Sequence, residues 1–185
     1  GAFRLDAFGV AGRINPANYQ QAVRKDGDLE LELLGDRLIA VSVRGGKGAG
    51  ILMPSKIYAA TLLPGQGLVA IATATGVVVF DHNNPGNKKE YTAHTGNVLS
   101  IAPSPDGQYF VTGSSDQTMR VWMPAFDEPI LSVFVAGREW IAWTAFGFYA
   151  CSPHGEQLLA WQVNNTAYRA PTVHPASRFR ASLYQ

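Results

Sequence analysis

The sequence predicts an all-β chain built from repeated antiparallel meanders. Three observations carry that prediction. Residues 98–122 read as three short strands separated by two tight-turn signals. The same pattern returns at a spacing near forty residues. Leu29-Glu30-Leu31-Glu32-Leu33 alternates strictly between apolar and charged residues, as a half-buried strand does.

Each element has a local reason. Val98 to Ala102 is a short apolar run with strand propensity. Pro105-Asp106-Gly107 is a turn, because proline presets φ and glycine accepts the left-handed conformation. Tyr109-Phe110-Val111 forms a second strand, and Ser114-Ser115-Asp116-Gln117 a second turn. Met119, Val121 and Trp122 lie in a third strand. Upstream, Gly35-Asp36 is a turn and Leu38 to Val43 another strand. Gly45-Gly46-Lys47-Gly48-Ala49-Gly50 invites a phosphate-loop reading, but that motif needs Gly-Lys-Ser/Thr opening a helix. Ala49 follows Gly48, and Ile51-Leu52-Met53-Pro54 reads as strand, so the segment is expected to be an inter-strand loop. Asn15-Pro16 through Lys25, stopped by Gly27, is the one stretch that reads as a short capped helix.

The period is visible in pairs of positions. Ile57 aligns with Val98 and Pro64 with Pro105, each forty-one residues later; Val98 aligns with Trp140, forty-two later. Phe80, Trp122 and Trp161 would close three successive third strands. A period near forty with about four strands per unit is the pattern of a β-propeller. The expectation is therefore about four four-stranded antiparallel blades forming part of a larger ring.

Residues Ala93-His94-Thr95-Gly96-Asn97-Val98 through Val121-Trp122 resemble one full WD repeat. The resemblance implies a hydrogen-bonded network of four residues: a His before the first strand, a Ser or Thr on the second, an Asp in the second turn and a Trp on the third. The matching positions are His94, Thr112, Asp116 and Trp122. Ala93 stands where the family has Gly, and Met123 where an Asp follows the Trp; neither removes a member of the network. The other copies have lost it. Ile71, Thr75 and Phe80 stand where Thr112, Asp116 and Trp122 stand, so only the middle blade is expected to carry the network. The same His and Asp could be taken for a catalytic pair. The blade explains both, and no serine or cysteine nucleophile sits at a matching motif position.

Composition narrows the function classes. The chain has 185 residues, a formal net charge of +1 and 46% hydrophobic residues. No basic stripe favours nucleic acid. No apolar run approaches the roughly 20 residues of a membrane helix, and no signal peptide is visible. The single cysteine, Cys151, cannot form an intrachain disulfide and reads as a packed small hydrophobe. The four histidines are scattered, with no paired spacing for zinc. Neither metal nor cofactor is expected, and a cytoplasmic location is.

A second block, Glu139-Trp140-Ile141-Ala142-Trp143-Thr144 through Gly147-Phe148-Tyr149-Ala150-Cys151-Ser152-Pro153 and Leu158 to Asn164, resembles the final blade of a group of bacterial WD-repeat proteins. Pro175-Ala176-Ser177-Arg178-Phe179-Arg180 to Tyr184 resembles the connector leaving that blade. In many such proteins the propeller is joined to a caspase-like peptidase domain, whose catalytic motifs do not occur in this chain. The resulting division is an N-terminal extension over 1–27, blades over 28–165 and a tail over 166–185. The function expected is a non-catalytic protein-interaction module, the sensing or docking part of a larger protein. Its candidate contacts to a protein or peptide are Arg138, Glu139, Phe146 and His154. A small propeller hydrolase or lyase is the alternative. It would need titratable groups on the innermost strands, and Ile57-Tyr58-Ala59-Ala60, Val98-Leu99-Ser100-Ile101 and Trp140-Ile141-Ala142-Trp143 carry almost none. An open propeller exposes apolar faces and strand edges, so self-association into a ring-completing dimer is also expected.

Overall fold

A computed structural model describes residues 22–164 and 170–184. Three antiparallel sheets follow one another along the chain. The first holds β1 (Lys25–Asp26), β2 (Leu29–Leu33), β3 (Leu38–Val43) and β4 (Ala49–Leu52) in sequence order. The second holds β5 (Ile57–Leu63), β6 (Leu68–Thr73), β7 (Val77–Asp81) and β8 (Asn84–Tyr91). The third runs through β9 (Val98–Pro103), β10 (Phe110–Ser114), β11 (Thr118–Trp122), β12 (Leu131–Ala136), β13 (Glu139–Trp143) and β14 (Tyr149–Cys151). A separate ribbon pairs β15 (Ala160–Val163) with β16 (Thr172–Pro175). Short helical turns at Gly155–Leu158 and Ala176–Phe179 and a helix, α1 (Arg180–Leu183), complete the described chain.

The second sheet lies between the other two, and its sequence says why. Val69, Ala70, Ile71 and Ala72 are all 0% exposed, so both faces of β6 are covered. A strand buried on both faces reads as a continuous apolar run, unlike the alternating β2. Val69, Ile71, Val78 and Phe80 pack against Leu31, Ile39 and Val41 of the first sheet. Ala70, Ala72, Val77 and Val79 pack against Val98, Ile101, Phe110 and Trp122 of the third. Burial of the valine, leucine, isoleucine and phenylalanine side chains among them stabilises by about 1.5–3 kcal/mol each. Tyr91 locks the second sheet to the third: its ring meets Phe110 and Trp122 edge-on, and its hydroxyl donates to the Pro124 carbonyl at 2.9 Å. At one end of that junction Gly107 (φ +66°) lies against Pro64, leaving no room for a Cβ. The Gln66 side chain donates to the Asp106 carbonyl beside it.

The fold is that of WD-type blades, and the described residues do not close a ring. Two local expectations need correction, and a third is tested only at its end. Trp140 does not begin the innermost strand of a new unit. Its strand, β13, pairs with β12 across Val135↔Trp140 and Ala136↔Glu139. Gly137 (φ +65°) and Arg138 make a two-residue hairpin, and such a turn forces the flanking strands to be neighbours. The third sheet thereby gains two strands, and the expected final copy from Trp140 to Val163 is divided between that sheet and the β15–β16 ribbon. The helix expected from Asn15 to Lys25 lies outside the described residues as far as residue 21; beyond it Lys25–Asp26 is strand.

Candidate functional site

The third sheet brings His94, Thr112, Asp116 and Trp122 together. Trp122 Nε1 donates to Thr112 Oγ1 at 2.8 Å, and His94 Nε2 lies 2.7 Å from the same oxygen. His94 Nδ1 lies 2.8 Å from Asp116 Oδ2. Only one proton arrangement satisfies all four groups: Thr112 accepts from the indole and donates to Nε2, and Nδ1–H donates to the carboxylate. Pairing places each member. Phe110↔Trp122 and Thr112↔Arg120 set Thr112 and Trp122 on the face turned to the second sheet. Asp116 sits in the β10–β11 turn, where Gln117 takes a left-handed φ of 70°.

The sequence alone missed a fifth member. Thr118 Oγ1 donates to Asp116 Oδ1 at 2.6 Å, and its N–H donates to the same oxygen at 2.9 Å. The Thr95 N–H donates to Oδ2 at 3.0 Å. The spacing of Asp116 and Thr118 was the available signal, since a carboxylate that accepts from the backbone two residues on is a common turn device. Burial on its own would raise the Asp116 carboxyl, but the hydrogen bonds from Thr118, His94 and Thr95 outweigh it. They hold the acid well below the usual carboxylate range. Burial pushes the His94 imidazole below its ordinary value against the pull of Asp116, which favours the neutral ring the network requires.

Thr112, His94 and Asp116 lie in the order of a hydroxyl–imidazole–carboxylate triad. The access such chemistry needs is missing. Thr112 is 1% exposed, and the Trp122 indole occupies the hydroxyl oxygen that would attack. Among the described residues no group of three or more His, Cys, Asp or Glu side chains is placed to hold a metal ion.

The four candidate contact residues form no single patch. Glu139 and His154 meet: the His154 N–H donates to Glu139 Oε2 at 3.2 Å, and Ser152 Oγ donates to the same oxygen. The Ser152 hydrogen bond, more than the backbone contact, holds Glu139 below its usual range. Arg138 is exposed in the adjoining hairpin. Phe146 lies beyond the opposite end of β13, 86% exposed, beside Phe148 at 39%.

Nearby, the chain end returns to the third sheet. The Tyr149 hydroxyl lies 2.8 Å from Glu156 Oε1 and 3.1 Å from the Ala176 carbonyl, and Arg180 Nε donates to the same Glu156 oxygen at 2.7 Å. Burial, then Glu156, pushes the Tyr149 phenol up to about 12. Tyr184 stacks edge-on to Tyr149 and bridges it in parallel, so the edge strand β14 is partly covered. Cys151 packs in this cluster, where burial raises its thiol above the ordinary value.

Comparison with known proteins agrees with the geometry. Residues 86–123, the stretch that holds the tetrad, match the family "WD domain, G-beta repeat". It is 53% identical over 36 residues to meiotic fizzy-related protein 1 of Schizosaccharomyces pombe, covering 20% of this chain and 9% of that protein. It is 41% identical over 46 residues to protein FIZZY-RELATED 2 of Arabidopsis thaliana, covering 25% and 10%. It is 33% identical over 70 residues to the human serine-threonine kinase receptor-associated protein, covering 37% and 20%. The matched segments thus span a fifth or less of these relatives. No helix among the described residues is long and apolar enough to cross a membrane.

Proposed function

We propose that the chain is a non-catalytic protein-interaction module. The observation that carries this reading is where its reactive groups and its bare apolar groups lie. The hydroxyl, imidazole and carboxylate that could do chemistry are enclosed in the blade and satisfied by one another. A large aromatic side chain, Phe146, stands almost fully in solvent on a turn. Aromatic anchors surrounded by polar groups are the usual centre of a protein-binding surface. The name of one relative describes association with a receptor, which supports the same reading. The likeness of the C-terminal block to bacterial WD-repeat proteins extends it: the module would act as the sensing or docking part of a protein carrying a caspase-like domain.

Photo-crosslinking tests the reading, with a photoreactive phenylalanine at Phe146 or at His154 and a control at buried Phe110. Adducts to a distinct protein at the two exposed positions, absent at Phe110, are expected. Equal labelling at all three positions, or none at Phe146 and His154, would defeat the proposal.

A further inference from the structure

We infer that residues 176–184 form a strap that opens and closes over the free edge of β14 while the blades stay folded, with Ala176 as its hinge and Glu156 as its catch. Ala176 is 0% exposed; its N–H donates to the Leu159 carbonyl at 3.2 Å, and its carbonyl lies 3.1 Å from the Tyr149 hydroxyl. Beyond it Phe179 and Leu183 are half-buried, and every other residue to Tyr184 is exposed. Arg178 turns back to His174, 2.6 Å away on β16. Among the described residues, one side-chain hydrogen bond then ties the strap to the turn Gly155–Leu158: Arg180 Nε donates to Glu156 Oε1 at 2.7 Å. The closure is completed by Tyr184, which lies edge-on to Tyr149 at 5.4 Å and bridges it in parallel, with the Arg180 guanidinium 5.4 Å above the Tyr184 ring.

The catch releases without stranding a charge. Only 11% of the Glu156 side chain is exposed, so a carboxylate left alone there would be strongly unfavourable. The Tyr149 hydroxyl, 2.8 Å from the same oxygen, prevents that. It has one proton for two acceptors, the Glu156 carboxylate and the Ala176 carbonyl. When Arg180, already 59% exposed, withdraws into solvent, that proton stays with Glu156. An exposed ion pair and an exposed cation–π contact each contribute little, and a segment with few buried contacts opens without global unfolding. The strap controls an edge. β14 has β13 on one side and only Tyr184 on the other. While Tyr184 is in place, no extended segment of another chain can pair with Tyr149–Cys151. That gating role rests on the reading of the chain as an interaction module; the opening itself does not.

Cys151 supplies the probe. It is the single cysteine of the chain and lies on β14, in the cluster that Ala176 and Leu183 of the strap complete. Its labelling by a maleimide at fixed pH reports opening, and the charges of the catch give the test a sign. Burial, then Glu156, raises the thiol above its ordinary value, and Arg180 lowers it. Removing Arg180 therefore leaves less thiolate, which by charge alone slows labelling. Removing it as a catch speeds labelling. In the full chain, Arg180→Ala is expected to speed labelling about three- to thirtyfold, the factor set by one exposed ion pair and one exposed cation–π contact, with an unchanged melting curve. Tyr184→Ala, which bares the edge and keeps both charges, speeds it likewise. In hydrogen exchange of the unsubstituted chain, residues 177–184 exchange at least about tenfold faster than β9–β11. Labelling that is slower or unchanged in Arg180→Ala overturns the inference, as do strap amides that exchange in step with β9–β11. Should Arg180→Ala fail to fold, Tyr184→Ala decides by the same criterion. Neither result bears on crosslinking at Phe146 and His154, so the strap and the interaction module fail separately.

Discussion

Replacing Thr112 by valine removes one oxygen from the centre of the third sheet and almost nothing else. The two side chains are nearly isosteric, so the substitution opens no cavity. It strands two buried groups. Trp122 Nε1 loses the acceptor 2.8 Å away, and His94 Nε2 loses the donor 2.7 Å away. An orphaned buried polar group costs about 1–3 kcal/mol, and the apolar gain from the new methyl offsets part of it. The net loss is about 2–4 kcal/mol, which for a domain of this size lowers Tm by about 5–12 °C. Urea unfolding followed by circular dichroism and tryptophan fluorescence reads it, with Thr112→Ser as the control. Serine keeps the hydroxyl and loses only a methyl, about 1 kcal/mol. The second sheet supplies a further control, because Ile71 and Phe80 occupy the equivalent positions and are fully packed. The triple variant His94→Leu, Thr112→Val, Trp122→Phe, which imitates them, is expected to lose less than the sum of its single losses. The reasoning fails if Thr112→Val lies within about 0.5 kcal/mol of the parent, or costs no more than Thr112→Ser.

Two more predictions follow from the same geometry. The folded pKa of His94 lies below its unfolded value of about 6.5, so below that pH the unfolded chain takes up the proton first and stability falls as pH drops from 7 to 5. The contribution of Asp116, also lowered, is present above about pH 3.9 and is lost as pH falls towards its folded value. Urea midpoints from pH 7 to 3 should decline across both windows, and His94→Gln should flatten the first; an unchanged slope would remove His94 as its source. Gly107→Ala and Gly137→Ala both place alanine at a φ near +65°, but only at Gly107 does the new Cβ strike another segment, the Pro64 backbone. Gly137→Ala is expected to cost about 1–2 kcal/mol and Gly107→Ala clearly more, the difference measuring how tightly the second and third sheets are packed. Equal losses would show that the Pro64 contact relaxes freely.

What could be read from the sequence divides along physical lines. The β9–β11 meander was legible because its turns carry their own chemistry: Pro105-Asp106-Gly107 bends whatever surrounds it. His94, Thr112, Asp116 and Trp122 could be picked out because each is polar or amphipathic in an apolar setting and needs a partner. Thr118 was harder, since a threonine in a strand needs no explanation. The placement of β13 was misjudged because the forty-two-residue step from Val98 to Trp140 outweighed a local signal. Gly137-Arg138 stands between Ser132-Val133-Phe134-Val135-Ala136 and Glu139-Trp140-Ile141-Ala142-Trp143, a two-residue hairpin flanked by strand-forming runs. By contrast the connection from Tyr91 to Val98 leaves six residues, enough to carry the chain to a new sheet. Connection length, more than similarity at a period, decided which sheet the strand joined.

The same alternation ties the lock to the outer face. On β10, Thr112 turns inward to the indole and imidazole, while its neighbour Val111 turns outward and is 39% exposed. On β11, Trp122 turns inward and Met119 and Val121 outward. A single pair of strands therefore holds the polar network on one side and exposed apolar side chains on the other. That arrangement explains why the network sits in the third sheet. The second sheet is clamped from both faces and stays ordered with apolar residues at the tetrad positions. At β10 and β11 the third sheet is clamped from one face only, and buried polar groups that are satisfied only in a single geometry give these strands the uniqueness that a second packed layer would otherwise supply. Loosening the network should then roughen the outer face as well, so the loss of stability in Thr112→Val and the weakening of any contact made through Val111 and Met119 are two consequences of one cause.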